Sequence, residues 1–495
     1  MLARNIAIVT LVSLCVLADY DLQKHRPFQA IDELEPYLKK LKTASAGFIP
    51  LEDAARLWTR AGDLYEAARN VTASLNARKQ AEALYTLALD QFPTSKEIAS
   101  ALMISRVKLA ESLKSYRLFE DARKVLENAR KFATLSSTST SSTVIAALWR
   151  AEANIERCDG RHIEAVDKWN KGAPKGEGED WSIGVLKSAT DIHLALDLWT
   201  ILGSSIEYQI NKEDIEIDEH GMFMQKKSRQ DEIMLRNRRK KIAEALISIG
   251  PWERPTQFPR NYTRGLLALP WHSLERNGIN KEWKIVKDLI KVVRQSASAL
   301  LKEWKSIPKS LKLVENECLA DLKQGEWTYM TINAPWVRDI DKDGCSLHTP
   351  VACKVLREAR SLGMSGSALR GTYSNLLGGT QLRSHCGMTN SQIKIHVGLE
   401  VPILVTDLKG KVEEISLLAG MENSTSIKGS PCAFLTVSGE SKAWQAGDVL
   451  IFDDSFEHSV KSTCKGERTV FQLVVPHPDI PINLRDGGRD EQRGD

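Results

Sequence analysis

The residues best equipped for chemistry lie in the last third of the chain. The stretch "AGDVLIFDDSFEHSVKS", Ala446 to Ser462, sets His458 behind a short apolar run and an acidic turn, Asp453-Asp454. A second histidine, His385, stands in "RSHCGMTN", and His396 and His477 also fall in strand-like context, in a chain with only ten histidines. Two neutral imidazoles, completed by a carboxylate or water, can hold a redox-active iron and leave positions open for substrate and oxygen. Such sites usually read His-x-Asp/Glu, whereas here the run is His385-Cys386-Gly387, with glycine in the carboxylate's place. Cys386 is a poor substitute ligand, because neighbouring residues of a strand point to opposite faces. On these residues alone, His385 and His458 read either as a metal site or as two unrelated histidines. Arg468, ten residues past His458 in "KGERTVFQLVV", adds a planar fork that grips carboxylates. Beside a metal it would suit a dicarboxylate co-substrate; without one it is an ordinary arginine entering an edge strand.

The elements that must position these residues are short strands. From "GEWTYMTI" (325–332) onward, β-branched and aromatic runs alternate with Gly, Pro and Asp turns: "GTYSNLL", "QIKIHVGLEVP", "PCAFLTVS", "DVLIFDD" and "TVFQLVVP". That spacing predicts a sandwich or barrel. Residues 275–322 read as one or two long helices leading into it. From about 22 to 248, apolar residues recur three and four apart, which is the helical period. Within that region "AEALYTLALDQFP", "RLFEDARKVLENARKF" and "GRHIEAVDKWNKGAP" resemble tetratricopeptide repeats, although they are spaced more widely than the usual period. A generic helical array predicts nearly the same architecture, and either builds a groove able to hold a peptide. Three prolines between Gly250 and Pro259 break the helical pattern and mark a linker.

Composition sets the outer bounds. At 495 residues, 42% hydrophobic and 27% charged, the chain has the make-up of a soluble protein with two or more cores. A net charge of +4 implies no nucleic-acid partner, and the basic run "RNRRKK" (236–241) reads as a solvated helix face. The opening "MLARNIAIVTLVSLCVLA" has the basic start, apolar run and small residues of a secretory signal, with an uncleaved anchor as the alternative and the only route to a membrane. Sequons at Asn70, Asn261 and Asn423 fit passage through the endoplasmic reticulum lumen, or secretion. Of eight cysteines, Cys15 lies in the signal, so seven remain and at least one thiol has no intrachain partner. The expected bridge is Cys345–Cys353, in a loop-like segment. The closing "RDGGRDEQRGD" is too polar to pack.

The segment "SNLLGGTQLRSHCGMTNSQIKIHVGLEVP" (374–402), followed by "WQAGDVLIFDDSFEH" (444–458) and an arginine ten residues on, resembles the aspartyl/asparaginyl β-hydroxylase family. "PWHSLERNG" (270–278), "GEWT" (325–328), the Cys345/Cys353 pair and "HPDI" (477–480) fit the same family. The resemblance implies a multidomain α + β protein: signal 1–18, tetratricopeptide-like helical array 19–250, linker 251–270, double-stranded β-helix (jelly-roll) oxygenase domain 271–482, and a disordered tail 483–495. It implies Fe(II), 2-oxoglutarate and O2 as the reagents, with His385 and His458 as iron ligands and no carboxylate ligand at Gly387. Ser374 and Arg468 would hold the carboxylates of 2-oxoglutarate, Lys394 and His396 would face co-substrate and substrate, and Trp327 would wall the pocket. Asp453 and Asp454 become turn or supporting residues, able to accept from backbone amides and imidazole N–H.

This chain departs from that family where two arginines are common on the His396 strand: it has Gln392 and Lys394, one uncharged and one a point charge. Met388 replaces a proline. The implied reaction is hydroxylation of the β-carbon of Asp or Asn in a secretory polypeptide presented by the helical repeats. The alternatives are the same chemistry on another peptide or a small molecule, or a non-catalytic peptide-binding repeat protein.

Overall fold

The structure is a computed structural model describing residues 27–480 except 44–49, 69, 136–141, 162–163, 169–195, 197, 204–205, 207–225, 275–280, 315–319, 322–325, 333–346, 365–368, 407–410 and 422–428. The expected signal, the polar tail, Asn423 and Cys345 lie outside the described residues. Asn70 and Asn261 are exposed.

Two compact units divide the chain, Met1–Asp180 with Pro335–Arg338, and Trp181–Ala334 with Asp339–Asp495. The first is helical: α1 (Pro27–Thr43), α2 (Leu51–Ala67), α3 (Val71–Gln91), α4 (Lys96–Ser115), α5 (Phe119–Leu135) and α6 (Ser142–Cys158). Successive helices pack on one another, with alanines such as Ala61, Ala77 and Ala81 letting their backbones approach. Two starts are capped as the sequence dictates: the Asn70 side chain accepts from the Ala73 amide of α3, and Ser95 accepts from the Ile98 amide of α4.

The second unit begins with α7 (Lys226–Ile249) and continues through α8 (Lys281–Ser306) into two sheets. One has the order β1 (Leu313–Val314), β3 (Trp327–Ile332), β4 (Arg370–Leu376), β13 (Arg468–Pro476), β6 (Gln392–Thr406), β11 (Val449–Phe452), with β7 (Val412–Leu418) and β8 (Ser430–Pro431) also on β6. The other runs β10 (Glu440–Ala443), β9 (Ala433–Val437), β12 (His458–Ser462), β5 (Gln381–His385), β2 (Ala320–Asp321). Every pairing between these named strands is antiparallel. The apolar stripe of α8, from Trp283 through Val293 to Trp304, packs with one face of the first sheet through Ile393, Ile395, Val397, Phe471 and Leu473.

Three expectations need correcting. The segment after Leu347, read as a loop, holds α9 (Pro350–Ser361): Pro350 opens the helix, and Ala352, Val355, Leu356 and Ala359 make its buried stripe. Its first amides, Val351 and Ala352, donate to the buried Glu303 carboxylate of α8, which also accepts from the Tyr373 hydroxyl on β4 at 2.6 Å. The long helix expected to reach residue 322 stops at Ser306, before Pro308 and the short β1 and β2. Residues 251–270 do not run free as a linker. The Glu457 amide donates to the Thr256 carbonyl at 2.7 Å, the Asn261 amide to Met388 at 2.9 Å, and the Asp453 amide to Pro270 at 3.2 Å. The prolines deny this strap a helix, and several of its backbone groups find partners on the turns it crosses.

Cys432 and Cys464 form a disulfide that spacing did not suggest, and Cys386 is a free thiol, the unpaired cysteine that an odd count requires. Cys353 is disulfide-bonded. Among the described residues no helix is long and apolar enough to cross a membrane.

Candidate functional site

His385 ends β5 and His458 begins β12, and the strand register sets them directly opposite one another. Their ring centroids are 4.2 Å apart. A shift in register between His458 and Val460 marks an irregularity at this pair, the kind of feature that re-aims a side chain at a strand end. The two side chains are held alike. His385 Nδ1 lies 2.7 Å from the Arg383 carbonyl, and His458 Nδ1 lies 2.9 Å from the Phe456 carbonyl. A ring nitrogen that donates to a carbonyl carries the proton, so each neutral imidazole has its lone pair on Nε2. Burial, then the His385 ring beside it, holds the His458 pKa well below the ordinary histidine range, so it stays neutral as a metal ligand requires.

The acidic turn is buried. The Ser455 amide donates to Asp453 Oδ1 at 2.9 Å, closing an Asx turn, and Gln257 Nε2 from the strap donates to Asp453 Oδ2 at 3.2 Å. Burial raises the Asp453 pKa to about 7. Asp454 Oδ2 pairs with Lys394 Nζ at 2.9 Å, while Asp454 Oδ1 is buried without a partner among the described residues. The Gly387 amide donates to the Asp454 carbonyl at 2.6 Å. The expectation that these aspartates accept an imidazole N–H is not met for His458, whose Nδ1 donates instead to the Phe456 carbonyl two residues back. Glu457 is fixed from outside the sheet by Arg239 of α7, whose guanidinium lies 3.9 Å from the Trp199 ring centroid. The basic run on α7 therefore has one member turned inward, while Arg236 and Lys240 are exposed.

The first sheet supplies the opposing wall. Trp327 Nε1 donates to Ser374 Oγ at 2.9 Å, joining two of the residues singled out from the sequence. Arg468 is 2% exposed, its guanidinium carbon 4.5 Å from the Trp444 ring centroid, and its Nε has no partner. No carboxylate pairs with it among the described residues, and burial pulls its pKa down to about 9. His396 stacks near Trp444 at 6.1 Å and meets Phe452 edge-on at 4.8 Å, and Phe452 in turn lies 5.8 Å from His458. Neither ring nitrogen of His396 meets hydrogen-bond geometry with the described residues. All seven residues anticipated from the sequence thus fall in the second unit, His385 and His458 on one sheet and Trp327, Ser374, Lys394, His396 and Arg468 on the other. Sequence reasoning missed Gln257, Trp444 and Arg370, whose signals were a polar residue among prolines, a tryptophan before a turn and an arginine before a strand.

Among the described residues no group of three or more His, Cys, Asp and Glu is arranged to hold a metal; the imidazoles set opposite one another are those of His385 and His458. The buried atoms without partners fit a metal with an anionic chelator: Arg468 offers an uncompensated cation, and His396 and Asp454 Oδ1 offer polar groups that burial makes costly to leave alone.

Residues 287–478 match the family model described as aspartyl/asparaginyl beta-hydroxylase. The chain is 26% identical over 229 residues to the aspartyl/asparaginyl beta-hydroxylase of Mus musculus, covering 45% of this chain and 25% of that protein. It is 30% identical over 134 residues to aspartate beta-hydroxylase domain-containing protein 1 of Mus musculus, covering 26% of this chain and 29% of that one. The chain thus spans about a quarter of the length of these relatives. A Pseudomonas putida prolyl-4-hydroxylase structure aligns over 38% of this chain and 87% of its own, at 10% identity and a TM-score of 0.20, too low to bear on the fold.

Proposed function

From a domain of the aspartyl/asparaginyl β-hydroxylase family at residues 287–478, we propose that the chain is an Fe(II)- and 2-oxoglutarate-dependent dioxygenase. Its substrate in this reading is the β-carbon of Asp or Asn in a polypeptide of the secretory pathway. The observation that carries it is the joining of two kinds of residue by one set of rings. Two imidazoles, tied at Nδ1 to backbone carbonyls, connect through Phe452, His396 and Trp444 to a buried arginine that no carboxylate pairs among the described residues. The two sheets are read as the halves of a double-stranded β-helix, and α1–α6 as a tetratricopeptide-like array that presents the polypeptide.

His385 and His458 would hold the iron through Nε2, and Arg468 with Ser374 would hold the carboxylates of 2-oxoglutarate. Bound there, iron and 2-oxoglutarate would activate O2, the oxidant, so that one of its oxygen atoms turns an unactivated C–H into C–OH and the other enters succinate as 2-oxoglutarate is oxidised and carbon dioxide released. What this chain does is position and enclose. The carbonyls of Arg383 and Phe456 fix the tautomer and aim of the two rings. Trp327 holds the Ser374 hydroxyl as an acceptor, so its proton is directed away from the indole and toward the pocket. Trp444 stacks on Arg468 and keeps its planar fork in one orientation without neutralising it. Phe452, Trp444 and Phe456 make the wall dry, which strengthens each charge–charge contact inside. Lys394 balances Asp454, so the negative charge beside the histidines is not left bare.

The test is mass spectrometry of an Asp- and Asn-centred peptide library incubated with the full chain, Fe(II), 2-oxoglutarate and ascorbate. A gain of one oxygen confined to Asp or Asn is the expected result. Modification of other residues alone would refute the assigned substrate class.

A further inference from the structure

The register of the first sheet brings one more cation beside the site. Arg370 opens β4 opposite Val474 of β13, and Val474 is opposite Lys394 of β6, so Arg370 and Lys394 share a row across three strands. By the two-residue alternation of a strand, Arg370 stands on the same face of β4 as Ser374, and Lys394 on the same face of β6 as His396.

The two cations differ in what already satisfies them. Lys394 is committed to the Asp454 carboxylate at 2.9 Å. Arg370 is half-buried, and its one described contact is a long hydrogen bond from Nη2 to the neutral Gln392 Oε1 at 3.4 Å. No carboxylate pairs with it among the described residues. Burial lowers its pKa, and Asp454 is the charge that acts in the opposite sense, which sets Arg370 near the same carboxylate that Lys394 holds. A guanidinium presents five N–H donors in a fixed fork, and one of Arg370's is engaged here.

We propose that Arg370 is the residue that recognises the substrate's acidic side chain, binding its carboxylate with a fork that Gln392 steadies from the neighbouring strand. This rests on the hydroxylase reading of the site. The charge that β6 lacks at Gln392 is then supplied across the sheet from β4. An aspartate offers this fork two anionic oxygens and an asparagine only one neutral oxygen, so the site prefers Asp. Arg468 is the deeper cation, stacked on Trp444, and takes the co-substrate instead.

The test is equilibrium binding to the full chain of N-acetyl-aspartyl-N-methylamide and its asparaginyl counterpart, read by ligand-observed NMR with 2-oxoglutarate present. Arg370→Gln is expected to weaken the aspartyl probe roughly tenfold, the scale of one charge-assisted hydrogen bond, and the asparaginyl probe less than about twofold. The affinity for 2-oxoglutarate is expected to stay within about twofold. Combining Arg370→Gln with Gln392→Arg hands the fork across to β6 and is expected to restore most of the aspartyl affinity. If Arg370→Gln does not fold, Arg370→Lys serves, with a smaller loss on the same probe. The proposal is overturned if a folded variant binds the aspartyl probe as wild type does, if the wild type shows no aspartyl preference, or if the loss falls on 2-oxoglutarate. Succinate formation is measured in parallel: its absence from the wild type would sink the hydroxylase reading, and the binding comparison would still decide the role of Arg370.

Discussion

The Asp454 carboxylate occupies the space a side chain on Gly387 would need. A Cβ built on Gly387 would meet Asp454 Oδ2 at 2.3 Å and Cγ at 2.6 Å. The glycine two residues after His385 is therefore not simply a missing ligand; a carboxylate from the turn before His458 stands against it, already paired with Lys394. Gly387→Asp, which would install the usual His-x-Asp run, is expected to destabilise the protein by about 1–3 kcal/mol through overpacking. The second change Asp454→Gly should recover the side-chain part of that loss and leave the part due to the Asp454 carbonyl, which the same Cβ would meet at 2.9 Å. Thermal unfolding of the single and double variants checks it; an unperturbed Gly387→Asp would contradict the packing described.

Arg468 is a buried cation that no carboxylate pairs among the described residues, which costs the ligand-free protein stability. Arg468→Met, which keeps a long side chain against Trp444, is expected to raise the ligand-free Tm by a few degrees. In the wild type a dicarboxylate at 100 times its Kd should stabilise by about 2.7 kcal/mol, and in the variant by nothing measurable. Differential scanning fluorimetry with and without 2-oxoglutarate reads both effects.

His272 packs 4.9 Å from Trp283, and burial, with His477 beside it, lowers its pKa from 6.5 to about 3. The group is neutral in both states above the unfolded value. Below it the unfolded chain takes up the proton and the folded one does not, so stability falls as pH drops toward the folded value. At pH 5 the cost is about 2 kcal/mol. His272→Phe should leave Tm near its wild-type value at pH 8 and lie above it at pH 5. Equal acid limbs for the two proteins would rule the assignment out.

The Cys432–Cys464 disulfide joins the approach to β9 to the end of β12, and its partners are 32 residues apart. Closing a loop of that size is worth roughly 3–4 kcal/mol in the chain-entropy model. Replacing both cysteines by alanine should lower stability by about that much and loosen the strand that carries His458. Hydrogen exchange of the β12 amides, compared with those of β6, shows whether the loss is local to that strand.

The strands of the first sheet were legible in the sequence because β4, β6, β11 and β13 bury β-branched and aromatic residues between clear turns. β5 and β12, which carry the two histidines, read only as strand-like context without bounds: "QLRSH" and "HSVKS" are polar, and their pairing supplies what their composition lacks. The histidines, Arg468 and Ser374 could be named because their residue types are informative in themselves. Lys394 could be named but not its partner, since Asp454 reaches it only through the return of the chain past β11. The signal of Arg370 is weak because an arginine before a strand is commonplace, and only the order β4, β13, β6 sets it in the row of Lys394. The strap at 251–270 was misjudged for a similar reason, as prolines exclude a helix without saying what the extended chain lies against.

The central claim is that His385 and His458 hold an iron that works with 2-oxoglutarate bound at Arg468. It is tested most directly by succinate formation from 2-oxoglutarate by the purified full chain, with and without Fe(II), in wild type and in His385→Ala, His458→Ala and Arg468→Met. Fe(II)-dependent succinate is expected in the wild type, with a loss of at least about a hundredfold in each histidine variant and a large rise in KM for 2-oxoglutarate in the arginine variant. Fe(II)-dependent turnover that survives either histidine substitution, or none in the wild type with its peptide substrate present, would contradict it.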